Sequence, residues 1–374
     1  MRALRGRLSK FAVTVTVAAL GTLAAAGSAS AAPPEFFGLV PQGAAPSGSD
    51  IQRMGQGNVG TVRLLLNWDA IEVSDDQFDF AASDAYIGNL AAAGIRPFPF
   101  VWGTPGFVSS THLQMPVATA AQKAEWDEFL RRVAGRYGAG GQFWNTVYPA
   151  QHPGAAPLPV QTIQIWNEQN APKHVLNPSP SGYAELLRIS DQAIGAVDPS
   201  IEIALGGMFG RPTGTAVTGG SAQEAGRGGA IKAWSFIKQL YKTKGVKAYF
   251  DGVSLHPYSP GLKGIKDQVL KIRKVLKKKK DKKTKLWITE IGWGSNKAGR
   301  LGVGAKKQPK LLKKSFKMLL KKRRKWKIPG VLWYTWRDVA GAPCDWCGSA
   351  GLFPASGLDP KPAWSKFVRF TGGT

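Results

Sequence analysis

Short apolar runs alternating with longer segments of helical periodicity predict an α/β chain, and eight such units predict a single-domain (β/α)8 TIM barrel. β-Type runs recur at 36–40, 61–67, 96–102, 160–167, 201–206, 250–256, 285–292 and 330–336. Between them, 80–93, 120–137, 183–197, 229–244, 265–280 and 309–327 place apolar residues at helical spacing. No internal repeat and no long linker interrupts the alternation, and about 340 residues beyond the leader suit one barrel domain. Periodicity does not show closure, so an open doubly wound sheet is the alternative on pattern alone. The stretches 138–159 and 210–229, rich in Gly, read as long loops.

Residues 1–31 have the form of a secretory signal peptide. A basic start runs to Lys10, an apolar run follows from Phe11, and small residues end at a cleavage position after Ala31. Residues 32–374 then form the barrel domain, with no transmembrane segment once the leader is removed, secreted or held at the cell envelope. A hydrophobic share of 43%, with 13 Trp, excludes a disordered chain. The two cysteines, Cys344 and Cys347, lie in Cys-Asp-Trp-Cys and are expected to form a small disulfide after export. Four histidines, His112, His152, His174 and His256, are scattered along the chain, so neither a Cys/His metal site nor a cofactor is expected.

The chemistry sits where strands end. The fourth run reads Ile165-Trp166-Asn167-Glu168, and the seventh Ile288-Thr289-Glu290-Ile291-Gly292-Trp293. In a barrel the carboxyl ends of the strands form the active face, and burying a carboxylate there without a partner costs several kcal/mol. Two glutamates in corresponding places suit cleavage of a glycosidic bond with retention, in which two carboxyl groups about 5 Å apart act as acid/base and as nucleophile. Arg63 sits inside the apolar second run, and the sixth ends Ser254-Leu255-His256-Pro257-Tyr258. A Gly-x-Ser-x-Gly elbow, a Walker A loop, His-Glu-x-x-His and a Gly-x-Gly-x-x-Gly after the first strand are all missing.

Trp166-Asn167-Glu168 and Ile288-Thr289-Glu290-Ile291-Gly292-Trp293 resemble the signatures of clan A retaining glycoside hydrolases of the family 5 and family 39 kind, over nearly the whole chain after the leader. The resemblance implies Glu168 as acid/base with a raised pKa and Glu290 as nucleophile with a low one. It implies Asn167 on the sugar 2-hydroxyl, His256 facing the sugar, Tyr258 hydrogen-bonded to Glu290, and Arg63 beside Glu290. Trp336, ending the eighth run, takes the place of a sugar-stacking tryptophan, and Trp102 and Trp293 are further strand-end candidates. A carbohydrate, cleaved at a β-glycosidic bond, is the implied substrate.

One segment stands apart. Between Gly261 and Gly330 there are 26 Lys and Arg against three acids, so about +23 of the net +26 is concentrated there. The apolar stripe Ile265, Val269, Ile272, Leu276 and its counterpart Leu311, Ser315, Met318, Leu319 make these outer barrel helices with a basic solvent face. An ordinary helix surface mixes both signs, so this face is expected to meet anionic surface polymers, with no motif for specific nucleic-acid reading. The competing functional class is a secreted, non-catalytic barrel that coats anionic surfaces through this face. Indifference to changing Glu168 or Glu290 would distinguish it.

Overall fold

All eight β-type runs keep both ends within three residues of where the sequence places them, and each run forms one barrel strand. The computed structural model describes residues 32–211, 229–342 and 344–374. The leader 1–31 and most of the 210–229 loop lie outside the described residues. The strands are β1 (Phe37–Val40), β2 (Thr61–Asn67), β3 (Arg96–Trp102), β4 (Thr162–Asn167), β5 (Glu202–Phe209), β6 (Gly252–His256), β7 (Lys285–Ile291) and β8 (Val331–Tyr334). All pair in parallel, and β1 pairs with both β2 and β8, so the sheet closes. The open-sheet alternative is thereby excluded.

Longer helices cover the barrel: α1 (Gly48–Gln56), α2 (Ala81–Ala92), α3 (Ala120–Tyr137), α4 (Pro180–Val197), α5 (Ala233–Leu240), α6 (Leu262–Lys278), α7 (Gln308–Trp326) and α8 (Pro362–Thr371). Their starts follow local chemistry. Thr119 and Ser179 cap α3 and α4 through side-chain acceptors, and Ser47 and Asp50 form a reciprocal capping box on α1. Helices α1 and α8 extend the pattern read from the sequence, and the expected loop 138–159 holds a π-turn at Phe143–Val147 and a short helix at Tyr148–Gln151.

The lumen is filled by side chains, among them Val40, Phe98, Ala204 and Leu332 with Trp287 against them. Phe98 and Trp287 meet at 4.9 Å between ring centres. Gly330 at the start of β8 makes room for that indole, since a Cβ there would lie 2.5 Å from a Trp287 ring carbon. A plugged lumen leaves binding to the mouth, at the carboxyl ends of the strands. Among the described residues no helix is long and apolar enough to cross a membrane.

Candidate active site

Strand alternation explains an arginine inside an apolar run. Val62, Leu64 and Leu66 belong to the core shared with the helices, whereas Arg63, Leu65 and Asn67 line a cavity of about 700 Å3 at the mouth. Arg63 is 1% exposed, with its guanidinium 3.8 Å from the centre of the Phe100 ring. It donates to Glu290 Oε1 at 2.8 Å, Asn167 Oδ1 at 2.8 Å and Gln164 Oε1 at 3.1 Å. A buried cation is thus fully matched.

Glu290 reaches the cavity through a bulge. Trp287 faces the lumen, so unbroken alternation would turn Glu290 away from it. Ile288 pairs with Val331 and Ile291 with Trp333, so β7 fits an extra residue against β8, and Glu290 turns inward. Tyr258 Oη donates to its Oε2 at 2.7 Å, and His256 Nδ1 lies 3.4 Å from the same oxygen. Burial and the neighbouring Glu290 charge push the Tyr258 phenol well up, so it remains a hydrogen-bond donor.

Glu168 sits on strained backbone, with φ of 43°, two residues after Trp166 at φ of 68°. The left-handed Trp166 breaks the strand period. Its ring goes to the outer core beside Trp126 of α3, while Asn167 and Glu168 both line the cavity. Neighbours hold this turn in place. Tyr183 Oη donates to Ile165 O, Glu168 N donates to Gly207 O, and the Asn170 amide clamps Phe209 O and Ile231 O.

Two imidazoles bracket the Glu168 carboxylate, His256 Nδ1 at 2.7 Å from Oε1 and His174 Nε2 at 3.2 Å from Oε2. Burial pushes the carboxyl up, but hydrogen bonds and charge from His174 and His256 outweigh it and hold it well below the usual range. The raised pKa expected from the sequence is therefore corrected, because the fold brings together two histidines that the chain scatters. His256 lies flat over β5, where a Cβ on Gly207 would fall 2.0 Å from Nε2. Among the described residues that nitrogen has no hydrogen-bond partner, which favours the ring proton on Nδ1 against the carboxylates.

The tryptophans need a second correction. β8 ends at Tyr334, and the chain then pairs with 350–353, where Leu352 N and Phe353 N donate to Trp336 O. Trp336 is consequently buried against Phe353 and Trp364, not a sugar platform. Trp293 is buried with its indole N–H on Ser259 O, and Trp102 donates to His174 O, so both brace the site from behind. The cavity's aromatic wall is Tyr334 and Trp346, whose rings lie 6.2 and 5.0 Å from that of Tyr258.

Cys344 and Cys347 are joined as a disulfide, and both line the cavity with Trp346 between them. A Trp enclosed by two cysteines was a visible signal for this wall. His174 had a weaker one, its place in the loop after Glu168. One ligand atom each of Glu168, His256 and Glu290 lies within 4.8 Å of the others. Arg63, Tyr258 and His174 already meet those carboxylates by hydrogen bonding or ion pairing.

No protein-family model matches the chain, and no curated protein sequence does. Solved structures do. A family 39 glycoside hydrolase from Bacteroides cellulosilyticus WH2 is 18% identical, covers 91% of this chain and superposes with a TM-score of 0.64. A family 39 β-xylosidase from Caulobacter crescentus is 17% identical over 91% of the chain, TM-score 0.62. A glucosidase from Croceicoccus marinus is 12% identical over 90%, TM-score 0.60. This chain spans 64%, 72% and 67% of their respective lengths. With the closed barrel, these likenesses show that the chain shares the (β/α)8-barrel fold of these glycoside hydrolases.

Proposed function

We propose that this chain is a secreted retaining glycoside hydrolase that cleaves β-glycosidic bonds in oligo- or polysaccharides. The observation that carries this is the carboxylate pair. Glu168 and Glu290 bring oxygens within 4.8 Å of each other, close to the roughly 5 Å that double displacement needs and too close for a water between them as inversion requires. The names of the structural neighbours, β-xylosidase and glucosidase among them, support the class of reaction and leave the sugar open.

In the first half-reaction a Glu290 oxygen attacks the anomeric carbon while the departing oxygen takes a proton from Glu168. In the second, Glu168 takes a proton from water, whose oxygen attacks the same carbon and frees Glu290. Arg63 and Tyr258 hold Glu290 aimed through hydrogen bonds to its two oxygens, and Asn167 bonds the sugar 2-hydroxyl. Glu168 is ionised in the free site, which suits the base step. For the acid step, the incoming glycosidic oxygen takes the place of His174 at Oε2. Losing one of two groups that hold the carboxyl down lets it take up a proton as substrate arrives. Tyr334 and Trp346 offer ring faces to the sugar.

Export through the 1–31 leader and contact with anionic polymers through the Lys-rich face belong to the same proposal, supported by the leader's composition and the charge of 261–330. A panel of aryl β-glycosides and polysaccharides, assayed with wild type and Glu290→Gln, tests the activity. The reading predicts turnover of at least one substrate and its loss in the variant. Equal turnover by both would remove Glu290 as nucleophile, and none by either would favour the non-catalytic barrel.

A further inference from the structure

The excess charge has a place in the fold as well as in the sequence. In a closed parallel barrel each helix runs back against its strand, so helix C-termini and the connections that follow lie at the base, opposite the mouth. Hydrogen bonds here agree: Leu286 N donates to Lys327 O at 2.9 Å, and Arg273 Nη1 to Thr284 O at 2.7 Å, both at strand starts. Three consecutive base connections, α5–β6, α6–β7 and α7–β8, and the last turn of α6 carry exposed lysines, among them Lys242, Lys244, Lys277, Lys280, Lys282 and Lys327.

The opposite half of the base differs. Its connections 57–60, 93–95, 138–161 and 198–201 hold no Lys or Arg. The acids near the basic half are already engaged. Asp267 pairs with Arg211 and Lys271, Glu202 with Lys285, and Asp281 accepts from Tyr241 Oη. Among the described residues none of the six lysines forms an ion pair. An extended cationic surface without counter-charges releases ions when a polyanion covers it.

We propose that this half of the base docks the protein on carboxylate-bearing polysaccharide, with the mouth facing away from the docked polymer and free to take sugar chains. The cations of 261–330 are 22 Lys against four Arg, so this surface meets an anion mostly as flexible point charges without fixed bidentate geometry. Single-stranded nucleic acid would need stacking platforms, and the α6–β7 connection 279–284 has no aromatic residue. A membrane would need apolar side chains to insert, and Leu270 alone among the exposed large hydrophobics lies between 261 and 330. The choice of a sugar polymer rests on the glycosidase reading of the mouth. Docking itself does not.

The test is binding of the 32–374 chain to immobilised polygalacturonate, with duplex DNA and phosphatidylserine vesicles as competitors. Lys→Gln at Lys242, Lys244, Lys277, Lys280, Lys282 and Lys327 is expected to weaken binding at least about tenfold, and the mouth-side set Lys263, Lys266, Lys306, Lys307, Lys310 and Lys313, changed likewise, less than about threefold. Equal loss from both sets overturns the placement at the base. Tighter binding to DNA or vesicles overturns the choice of polysaccharide. Glu290→Gln is expected to bind like wild type, so a failed glycosidase assay with base-dependent retention leaves docking standing, and turnover without retention removes it. Circular dichroism confirms that each set of variants is folded.

Discussion

At the mouth of the barrel each buried charge is matched, whereas half of the base carries cations with almost no acids among them. Arg63 spends its guanidinium on Glu290, Asn167 and Gln164, and Glu168 has a histidine on each oxygen. Mouth charges are buried, so an unmatched one would cost several kcal/mol. The base lysines are solvated and cost little singly. The difference teaches that pairing marks the site built for chemistry, and lack of pairing marks a surface built for capture.

The largest effects are expected at the matched end. Glu290→Gln should lower kcat by more than about a thousandfold, and Glu168→Gln by about a hundredfold or more, with substrates bearing good leaving groups losing least in the latter. Steady-state kinetics on two aryl glycosides of different leaving-group acidity checks both. A Glu168→Gln variant indifferent to the leaving group would break the acid assignment.

Next come the tryptophans. Trp336→Ala should cost about 3–5 kcal/mol of stability by opening a cavity beside Phe353 and Trp364. Trp346→Ala, at the cavity wall, should leave thermal unfolding nearly unchanged and raise KM about tenfold. A Trp336→Ala variant that alters KM at unchanged stability would put Trp336 in contact with the sugar after all.

These two residues show what was legible. Strand number, order and most boundaries followed from periodicity, because parallel strands buried on both faces stay apolar along their length. Glu168, Glu290, Arg63 and Tyr258 stood out as polar groups at the ends or middles of such runs. Side-chain direction was not legible. The left-handed Trp166 and the β7 bulge reset the two-residue period, and β8 stops two residues before Trp336. His174 was equally hidden, since it meets Glu168 through a loop whose path depends on Trp102 and Trp166 both donating to its carbonyl.

His174 supplies a smaller test. Because His174 and His256 outweigh burial and hold the Glu168 carboxyl below its ordinary 4.5, removing one of them raises it. His174→Ala should therefore move the alkaline limb of the kcat/KM profile to higher pH, since the acid form of Glu168 survives further. A limb that stays put or moves down would detach His174 from the acid.

The smallest effect is expected at the base. Lys→Gln at Lys277, Lys280 and Lys282 should change unfolding free energy by no more than about 0.5 kcal/mol and leave turnover of a neutral aryl glycoside as it was. A large loss of stability would mean that these lysines serve the fold and would blur the contrast between the two ends.

The central claim is double displacement with Glu290 as nucleophile. The most direct measurement traps the intermediate with an activated 2-deoxy-2-fluoro glycoside of whichever sugar is turned over, followed by peptide mass spectrometry. One equivalent of sugar, attached to the peptide at Glu290, and product of retained configuration are expected. A label on another residue, or product of inverted configuration, would contradict it.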